Sequence, residues 1–430
     1  MKLKVYNDST NYTATVFSIK SLRPLDGMDN VLGTDIFGNQ VLISKNTKVG
    51  DVGLYFPAET QIDFNFLSIN NLYRNAEENE DTTKKGFFEA NGRVKAIKMR
   101  GHQSCGFWIP IQSLTNMGFD ISDLKVGDEF NELDDLKICR KYIATQKGSS
   151  YTPKTAGDKL ARRFDRLVPN QFRLHENTSH LAKHLDSFRL DDIIVITAKW
   201  HGASWVVSNV LVNKQLRWYE KLLKKLGVDI VDKVYDNIYA SRTVVKNRYI
   251  NPEQSDGWYE EDLWSIIAQE LSDKIDPGIT LYGECVGFTP KGRYIQKLYD
   301  YGCKQYEHKN PVYRITYTSP IGDVYEFSWQ QIKDYCQARG IEYVKEMFFG
   351  SLREYLNVIP VGYNWKDQLL DHLKGKFLEG DCPDCTNKVP FEGICIRRDG
   401  HQSYLTYKLK SFRFLEWETK QGDLNENNDI

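Results

Sequence analysis

Ile193-Ile194-Val195-Ile196-Thr197-Ala198-Lys199-Trp200-His201-Gly202-Ala203-Ser204 is an apolar, β-branched run that ends on a lysine and passes at once into a His-Gly pair. Four consecutive branched aliphatics followed by threonine have the length and composition of a buried strand. A lysine at the end of such a strand is partly desolvated. Desolvation is expected to lower its pKa and to favour the neutral, nucleophilic amine. Gly202 lets the backbone approach a ligand closely. The plainer reading of the same stretch is that Lys199 is a solvated strand end.

Outward from this stretch the same theme recurs. Leu281-Tyr282-Gly283-Glu284-Cys285-Val286-Gly287 sets one carboxylate on a strand between two glycines. Pro390-Phe391-Glu392-Gly393-Ile394-Cys395-Ile396-Arg397 places Glu-Gly before another strand, and Tyr407-Lys408-Leu409-Lys410-Ser411 puts two lysines on one strand face. In order the chain supplies a lysine nucleophile, a glutamate, an aromatic strand, a second glutamate and a lysine pair. That set suits attack at phosphorus, which needs a nucleophile, cations for the spreading negative charge, and carboxylates for a metal or for ribose hydroxyls.

The wider chain has two textures. The first 110 or so residues read as short strands with glycine turns: Tyr12–Ile19, Gln40–Ile43, Val52–Phe56 and the basic–apolar alternation Arg93–Arg100. Asn75–Asp81 reads as a solvated acidic loop. Residues 141–166 hold seven basic and two acidic residues, with Gly148, Ser149, Ser150 and Pro153, and read as a linker. Beyond it strands such as Asp192–Ala198, Ile279–Val286 and Tyr313–Tyr317 alternate with helices. The helices are expected at Leu216–Leu226, Trp258–Ile275, Lys333–Arg339 with Gly340, and Trp365–Leu373 with Gly375. The expected organisation is a small β-barrel over 1–145, a basic linker over 146–170 and an α+β domain over 171–430.

Composition bounds the rest. At 430 residues, 41% hydrophobic and 27% charged, the chain can bury a core, which excludes a disordered chain and a disulfide miniprotein. No apolar run approaches the roughly 20 residues of a membrane helix. The polar N-terminus and eight scattered cysteines point to free thiols in a reducing, cytoplasmic compartment. Fifty-seven Lys plus Arg against 58 Asp plus Glu give a net charge of −1, a sum that argues against nucleic acid. The sum instead reads as a cancellation of the basic linker by Asn75–Asp81 and by an acidic tail over 416–430, both expected at the solvated periphery.

Lys199-x-His201-Gly202-x-Ser204 resembles motif I of the covalent nucleotidyltransferases, in the form used by ATP-dependent RNA ligases of the RNA ligase 2 clade. Ser241-Arg242 resembles the next motif, Gly283-Glu284 motif III, and Val312-Tyr313-Arg314-Ile315 the aromatic motif IIIa. Glu392-Gly393 resembles motif IV and Lys408-x-Lys410 motif V. The N-terminal stretch Gly92–Gly106 resembles the OB-like domain of the RNA ligase 5 group, and Arg173–Leu181 also has counterparts in related ligases. The implied fold is an α+β nucleotidyltransferase domain of antiparallel sheets with helices, preceded by a small OB-like β-barrel. The implied activity is sealing of 3′-OH/5′-phosphate ends, most simply nicks in duplex RNA or RNA–DNA hybrid, with ATP and Mg²⁺ or Mn²⁺, by a monomer.

The resemblance also implies roles. Lys199 would carry AMP. His201 and Gly202 would line the nucleotide site. Glu284 would bind ribose, and Arg242 ribose or phosphate. Tyr313, or Tyr317 on the same strand face, would stack on adenine. Lys408 and Lys410 would clamp phosphates. Glu284 and Glu392 would hold the metal, in part through water. Arg93, Lys95, Lys98 and Arg100 would track RNA. The chain departs from relatives in having Ala198 where many have glutamate, Ser204 where some have asparagine, and Thr316-Tyr317-Thr318 where motif IIIa often ends Phe-Asp-Ile.

Competing readings remain open. A DNA ligase and a capping guanylyltransferase share these motifs, though His201 stands where both usually have aspartate. A non-catalytic RNA-binding protein on the same scaffold is the alternative of a different class. Cys382-x-x-Cys385 has metal-ligand spacing but no second pair, and reads as a loop. His175, His180 and His184 precede motif I without a required role. Gly287–Gly292 imitates a phosphate loop but reads as a turn. Trp258, Trp264 and Trp329 read as core.

Overall fold

The computed structural model describes residues 1–143, 166–246, 262–357 and 365–427. Lys147, Lys154, Lys159, Arg162 and Arg163 of the expected linker, and Trp258, lie outside these residues. We number the longer elements beyond residue 190 as β1 (Ile193–Lys199), β2 (Ala203–Asn213), α1 (Trp218–Lys225), β3 (Lys233–Ser241), α2 (Leu263–Leu271), β4 (Ile279–Gly287), β5 (Val312–Thr318), α3 (Trp329–Arg339), β6 (Glu346–Ser351), α4 (Trp365–Leu373), β7 (Gly393–Arg398), β8 (Thr406–Lys410) and α5 (Phe412–Asn427).

Two sheets carry the later half. One runs Ser179–His180, β8, β7, β1, β6, and is antiparallel except where Ser179–His180 joins β8. The other is antiparallel in the order β3, β2, β4, β5, Val324–Glu326, with His308–Lys309 added beside β4. Strand β1 explains its own composition. Ile194 and Ile196 enter one apolar core, while Val195 enters the other. A strand covered on both faces has no polar side to alternate with, so it reads as a continuous apolar run.

Leu263, Ile267 and Leu271 of α2 and Trp329, Ile332 and Cys336 of α3 close the core over the second sheet. Each fully buried side chain of this size contributes on the order of 1.5–3 kcal/mol. Helix α3 is framed at both ends. Ser328 and Gln331 form a reciprocal N-terminal cap, and Gly340 ends the helix in the left-handed conformation at φ 60°. Helix α1 buries none of its residues: Trp218 and Leu222 are 78% and 50% exposed.

The N-terminal part differs from the expected barrel. Among the described residues its strands pair into five small sheets, of which the largest runs Glu129–Phe130, Ala14–Ser18, Val52–Phe56, Phe107–Pro110. These pairings do not close into a ring. The strands are two to six residues long, and the chain between Asp63 and Arg93 forms a short helix, Phe64–Ile69, and irregular loops. Within that loop region Asn79 is buried and bonds Tyr73 and Lys84 backbone atoms, so Asn75–Asp81 is less solvated than its charge suggests.

Two expectations fail here. Arg93 does not start an exposed strand. The strand is Ala96–Met99, and Arg93 bridges Gln61 instead. Its side chain is 2% exposed, and its guanidinium meets Glu59 at 2.8 Å and the Thr419 carbonyl at 3.4 Å. Nor are residues 416–419, at the start of the expected acidic tail, peripheral. Helix α5 packs on Ala96–Met99, with Thr419 Oγ1 donating to Glu59 Oε1 at 3.0 Å and accepting from the Ala96 N–H at 3.3 Å. Arg93→Met should therefore destabilise the protein by about 3 kcal/mol, because Glu59 would keep a buried charge without its partner. Urea denaturation measures this; an arginine serving only RNA would leave the midpoint in place.

Candidate active site

Strand register assembles the site before any side-chain contact is considered. Lys199 pairs with Gly393, and Gly393 pairs with Lys410, so these residues share one row across β1, β7 and β8. Two residues along, Thr197, Cys395 and Lys408 form the next row. Because side chains alternate by twos, Lys199, Lys408 and Lys410 emerge on one face. On the other sheet Ser204 pairs with Glu284, bringing that carboxylate opposite the Lys-x-His-Gly turn.

Two glycines allow the approach. At Gly393, where φ is +150°, a Cβ would meet the Leu409 carbonyl at 2.1 Å, and at Gly202 the Cys285 carbonyl at 2.2 Å. Larger residues would push β8 from β7, or the nucleophile turn from β4.

The side chains converge on Glu392. This carboxylate is 3% exposed. Its Oε1 lies 2.8 Å from Lys199 Nζ and 3.6 Å from Lys410 Nζ, while its Oε2 has no hydrogen-bond partner. Lys410 reaches Glu418 Oε2 of α5 at 3.3 Å. Glu284 Oε2 accepts from Ser204 Oγ at 2.9 Å. The groups line a cavity of about 640 Å³, which Tyr12, Glu59 and Lys141 of the N-terminal part also wall.

Electrostatics correct one expectation. Burial pulls Lys199 down, but the Glu392 carboxylate overrides it and holds the lysine above its ordinary value. The free site keeps Lys199 as an ammonium. Burial raises Glu392, and Lys199 and Lys410 together reverse that and hold it low. Lys408 is the lysine that falls, to about 7, through burial and then the like charges of Lys410 and Lys199. Burial lifts Glu284 to about 7 against the pull of Lys199.

The turn after Lys199 is clamped. The His201 N–H donates to the Tyr301 hydroxyl at 2.5 Å, and Gln296 Nε2 donates to the Gly202 carbonyl at 2.9 Å. The His201 ring is edged by Tyr299, Phe414 and Trp417. Arg242 lies at the cavity wall and donates to Asn177 Oδ1 at 2.6 Å. Tyr313 also lines the cavity, its hydroxyl 2.5 Å from His175 Nδ1, whereas Tyr317 packs on Tyr325 beside a separate depression. Tyr313 is thus the tyrosine of that pair placed at the cavity. Trp329 is buried, as read, yet it and Trp264 both line the cavity, the Trp264 indole N–H donating to the Ser204 carbonyl at 3.0 Å.

Lys95, Lys98 and Arg100 stand apart from this cluster. Lys95 pairs with Glu89 at 2.8 Å, Lys98 approaches Glu416 at 3.7 Å, and Arg100 donates to the Gly27 carbonyl at 2.5 Å. Cys382 and Cys385 sit in a turn, with the Cys385 N–H donating to the Cys382 carbonyl at 3.3 Å. Among the described residues no group of three or more His, Cys, Asp or Glu could hold a metal unaided. A divalent cation still fits at Glu392. Magnesium commonly takes one or two carboxylates and completes its shell with water and phosphate oxygens, and Glu392 Oε2 is a buried acceptor without a partner.

Glu418, Tyr301 and His175 were missed as members of the site. Glu418 sits in an acidic helix that looks solvated, and Tyr299-Asp300-Tyr301 carries no motif. His175 was noted, but nothing nearby in sequence marks Tyr313 as its partner.

Burial holds both His201 and His175 at about 4, below the ordinary 6.5. Between these values the unfolded chain binds more protons than the folded one, so stability is present above pH 6.5 and is lost as pH falls toward 4. Each histidine contributes on the order of 3 kcal/mol to that loss. Melting curves of wild type and His201→Phe at pH 7 and pH 5 check this: the variant should lose less on acidification, and equal losses would contradict it.

No protein-family model matches the sequence, and no curated protein does. Solved structures do match in shape. A ligand-free variant of the Naegleria gruberi RNA ligase aligns with TM-score 0.60 at 14% identity, over 94% of this chain and 98% of that one. A variant of the same enzyme with ATP and manganese aligns with TM-score 0.60 at 13% identity, over 97% and 99%. A third, with AMP and manganese, gives 0.59 at 14%. The protein therefore has the mixed α+β fold of the Naegleria RNA ligase across nearly its whole length.

Proposed function

We propose that this protein is an ATP-dependent RNA ligase that works through an adenylate on Lys199. The observation that carries the reading is the row Lys199–Gly393–Lys410 with Glu392 beneath it, inside one cavity that also receives Glu284, Arg242 and Tyr313. A nucleophile, two further cations and two carboxylates at one wall are what phosphoryl chemistry needs. On this reading the chain divides near residue 145, with the N-terminal part helping to grip the duplex.

In this mechanism Tyr313 stacks on adenine and Glu284 engages the ribose. Arg242, Lys408 and Lys410 bind phosphate oxygens. Lys199 attacks the α-phosphorus, forming a P–N bond as the bond to pyrophosphate breaks. The AMP then passes to an RNA 5′-phosphate, and the 3′-hydroxyl of the adjoining strand displaces it. Lys199 must first lose the proton that Glu392 stabilises. A divalent cation at Glu392, Mg²⁺ or Mn²⁺, would take up that carboxylate charge and polarise the α-phosphate. Lys408, with its low pKa, gains its full charge when phosphate arrives, so its cationic form is matched to the bound state.

Incubation with α-labelled ATP and Mn²⁺, followed by a denaturing gel, should label the protein. Lys199→Ala should abolish the label, and Tyr313→Ala should weaken it about 10-fold or more through lost stacking. A panel of nicked duplexes with RNA or DNA in each strand should show sealing only where an RNA strand is present. Sealing confined to all-DNA nicks, or label from GTP in place of ATP, would turn the reading toward a DNA ligase or a capping enzyme. RNA binding without any label would leave a non-catalytic scaffold.

A further inference from the structure

Helix α5 enters the cavity although nothing in the motifs calls for it. Its turn Glu416–Thr419 touches both halves of the molecule. Toward the N-terminal part, Thr419 bonds Glu59 and the Ala96 N–H, and Arg93 reaches the Glu418 and Thr419 carbonyls. Toward the cavity, Glu418 turns its carboxylate to Lys410 at 3.3 Å and lines the cavity beside Lys199 and Glu392.

The charge arrangement gives that carboxylate a task. Lys199 and Lys410 both face one oxygen of Glu392, at 2.8 and 3.6 Å. Lys199 is the closer of the two to that oxygen, and like charges at this range repel. Glu418 approaches Lys410 more closely than Glu392 does. The Lys410 Nζ also lies 4.8 Å from the centre of the Phe414 ring, one turn before Glu418 on the same helix. Lys410 is thereby drawn toward α5, which leaves Glu392 principally to Lys199.

We propose that Glu418 is a positioning residue that holds Lys410 at the cavity wall, apart from the Lys199–Glu392 pair, for contact with the nucleotide phosphates. The proposal rests on the nucleotidyl-transfer reading of the same site. Glu418 itself touches no reacting atom and acts through Lys410. Its own place is kept by the contacts of α5 with Glu59, Arg93 and Ala96, so the N-terminal part supports the geometry of the phosphate site.

The test is the rate of self-labelling with α-labelled ATP and Mn²⁺, measured on the full chain across ATP concentrations. The variants are Glu418→Gln, Glu418→Asp, Lys410→Gln and the double variant of Glu418→Gln with Lys410→Gln, with circular dichroism and melting curves for each. Glu418→Gln should lower the rate at saturating ATP by about 10-fold, since misplacing one charged group by an ångström costs that much or more. Glu418→Asp, which keeps the charge, should recover part of the loss. The double variant should be no slower than Lys410→Gln alone, because Glu418 has no second route to the chemistry.

A merely structural role for Glu418 would lower the melting temperature and act additively with Lys410→Gln, which would overturn the proposal. So would a wild-type rate in Glu418→Gln, or Glu418→Asp labelling no faster than Glu418→Gln. If wild type takes no label, the ligase reading itself falls. If wild type labels and Glu418→Gln matches it, only the positioning role falls.

Discussion

A carboxylate buried to 3% exposure, with two lysines competing for one of its oxygens, is the constraint around which this molecule is arranged. Glu392 cannot be left unpaired in such a place without a large desolvation penalty. Its pairing with Lys199 fixes the position of that amine and keeps it protonated. On the proposed reading the site is poised but switched off, and an event that draws charge away from Glu392 would make the amine reactive. A free lysine at the end of an exposed strand would have no such control.

The fold serves this arrangement by bringing three strands of different sequence origin into one row. Gly393 lets β7 and β8 approach, Gly202 lets the following turn lie on β4, and Tyr301 and Gln296 fix that turn. The two apolar cores on opposite faces of β1 hold the strand that delivers Lys199. The N-terminal part contributes through the buried Arg93–Glu59–Thr419 cluster, which ties α5 in place.

Much of this was legible in the sequence, for identifiable reasons. Strands β1, β4 and β5 announced themselves through β-branched and apolar runs. Lys199, Glu284 and the Lys408–Lys410 pair stood out because each sits on a strand, beside glycines or at alternate positions, and Glu392 because Glu-Gly directly precedes one. What was not legible depended on partners distant in the chain. Burial alone predicts a lowered pKa for Lys199, and Glu392 reverses it. Arg93 looked like one tooth of an exposed basic strand, since alternation does not show where the strand begins. Glu418 looked like solvated tail, because an acidic helix betrays its role only when Lys410 and Glu59 are seen beside it. A small barrel was inferred from short strands with glycine turns, and its OB-like character from the resemblance at Gly92–Gly106, but short strands of this kind also build the separate small sheets found here.

The most direct test is to locate the adenylate. After incubation with ATP and Mn²⁺, the protein is digested and its peptides are mapped by mass spectrometry under conditions that preserve a phosphoramide. The account predicts AMP on Lys199, in the peptide carrying Lys199-Trp200-His201-Gly202, and none on Lys408 or Lys410. AMP on another lysine, or an unmodified protein under conditions where the fold is intact, would contradict it.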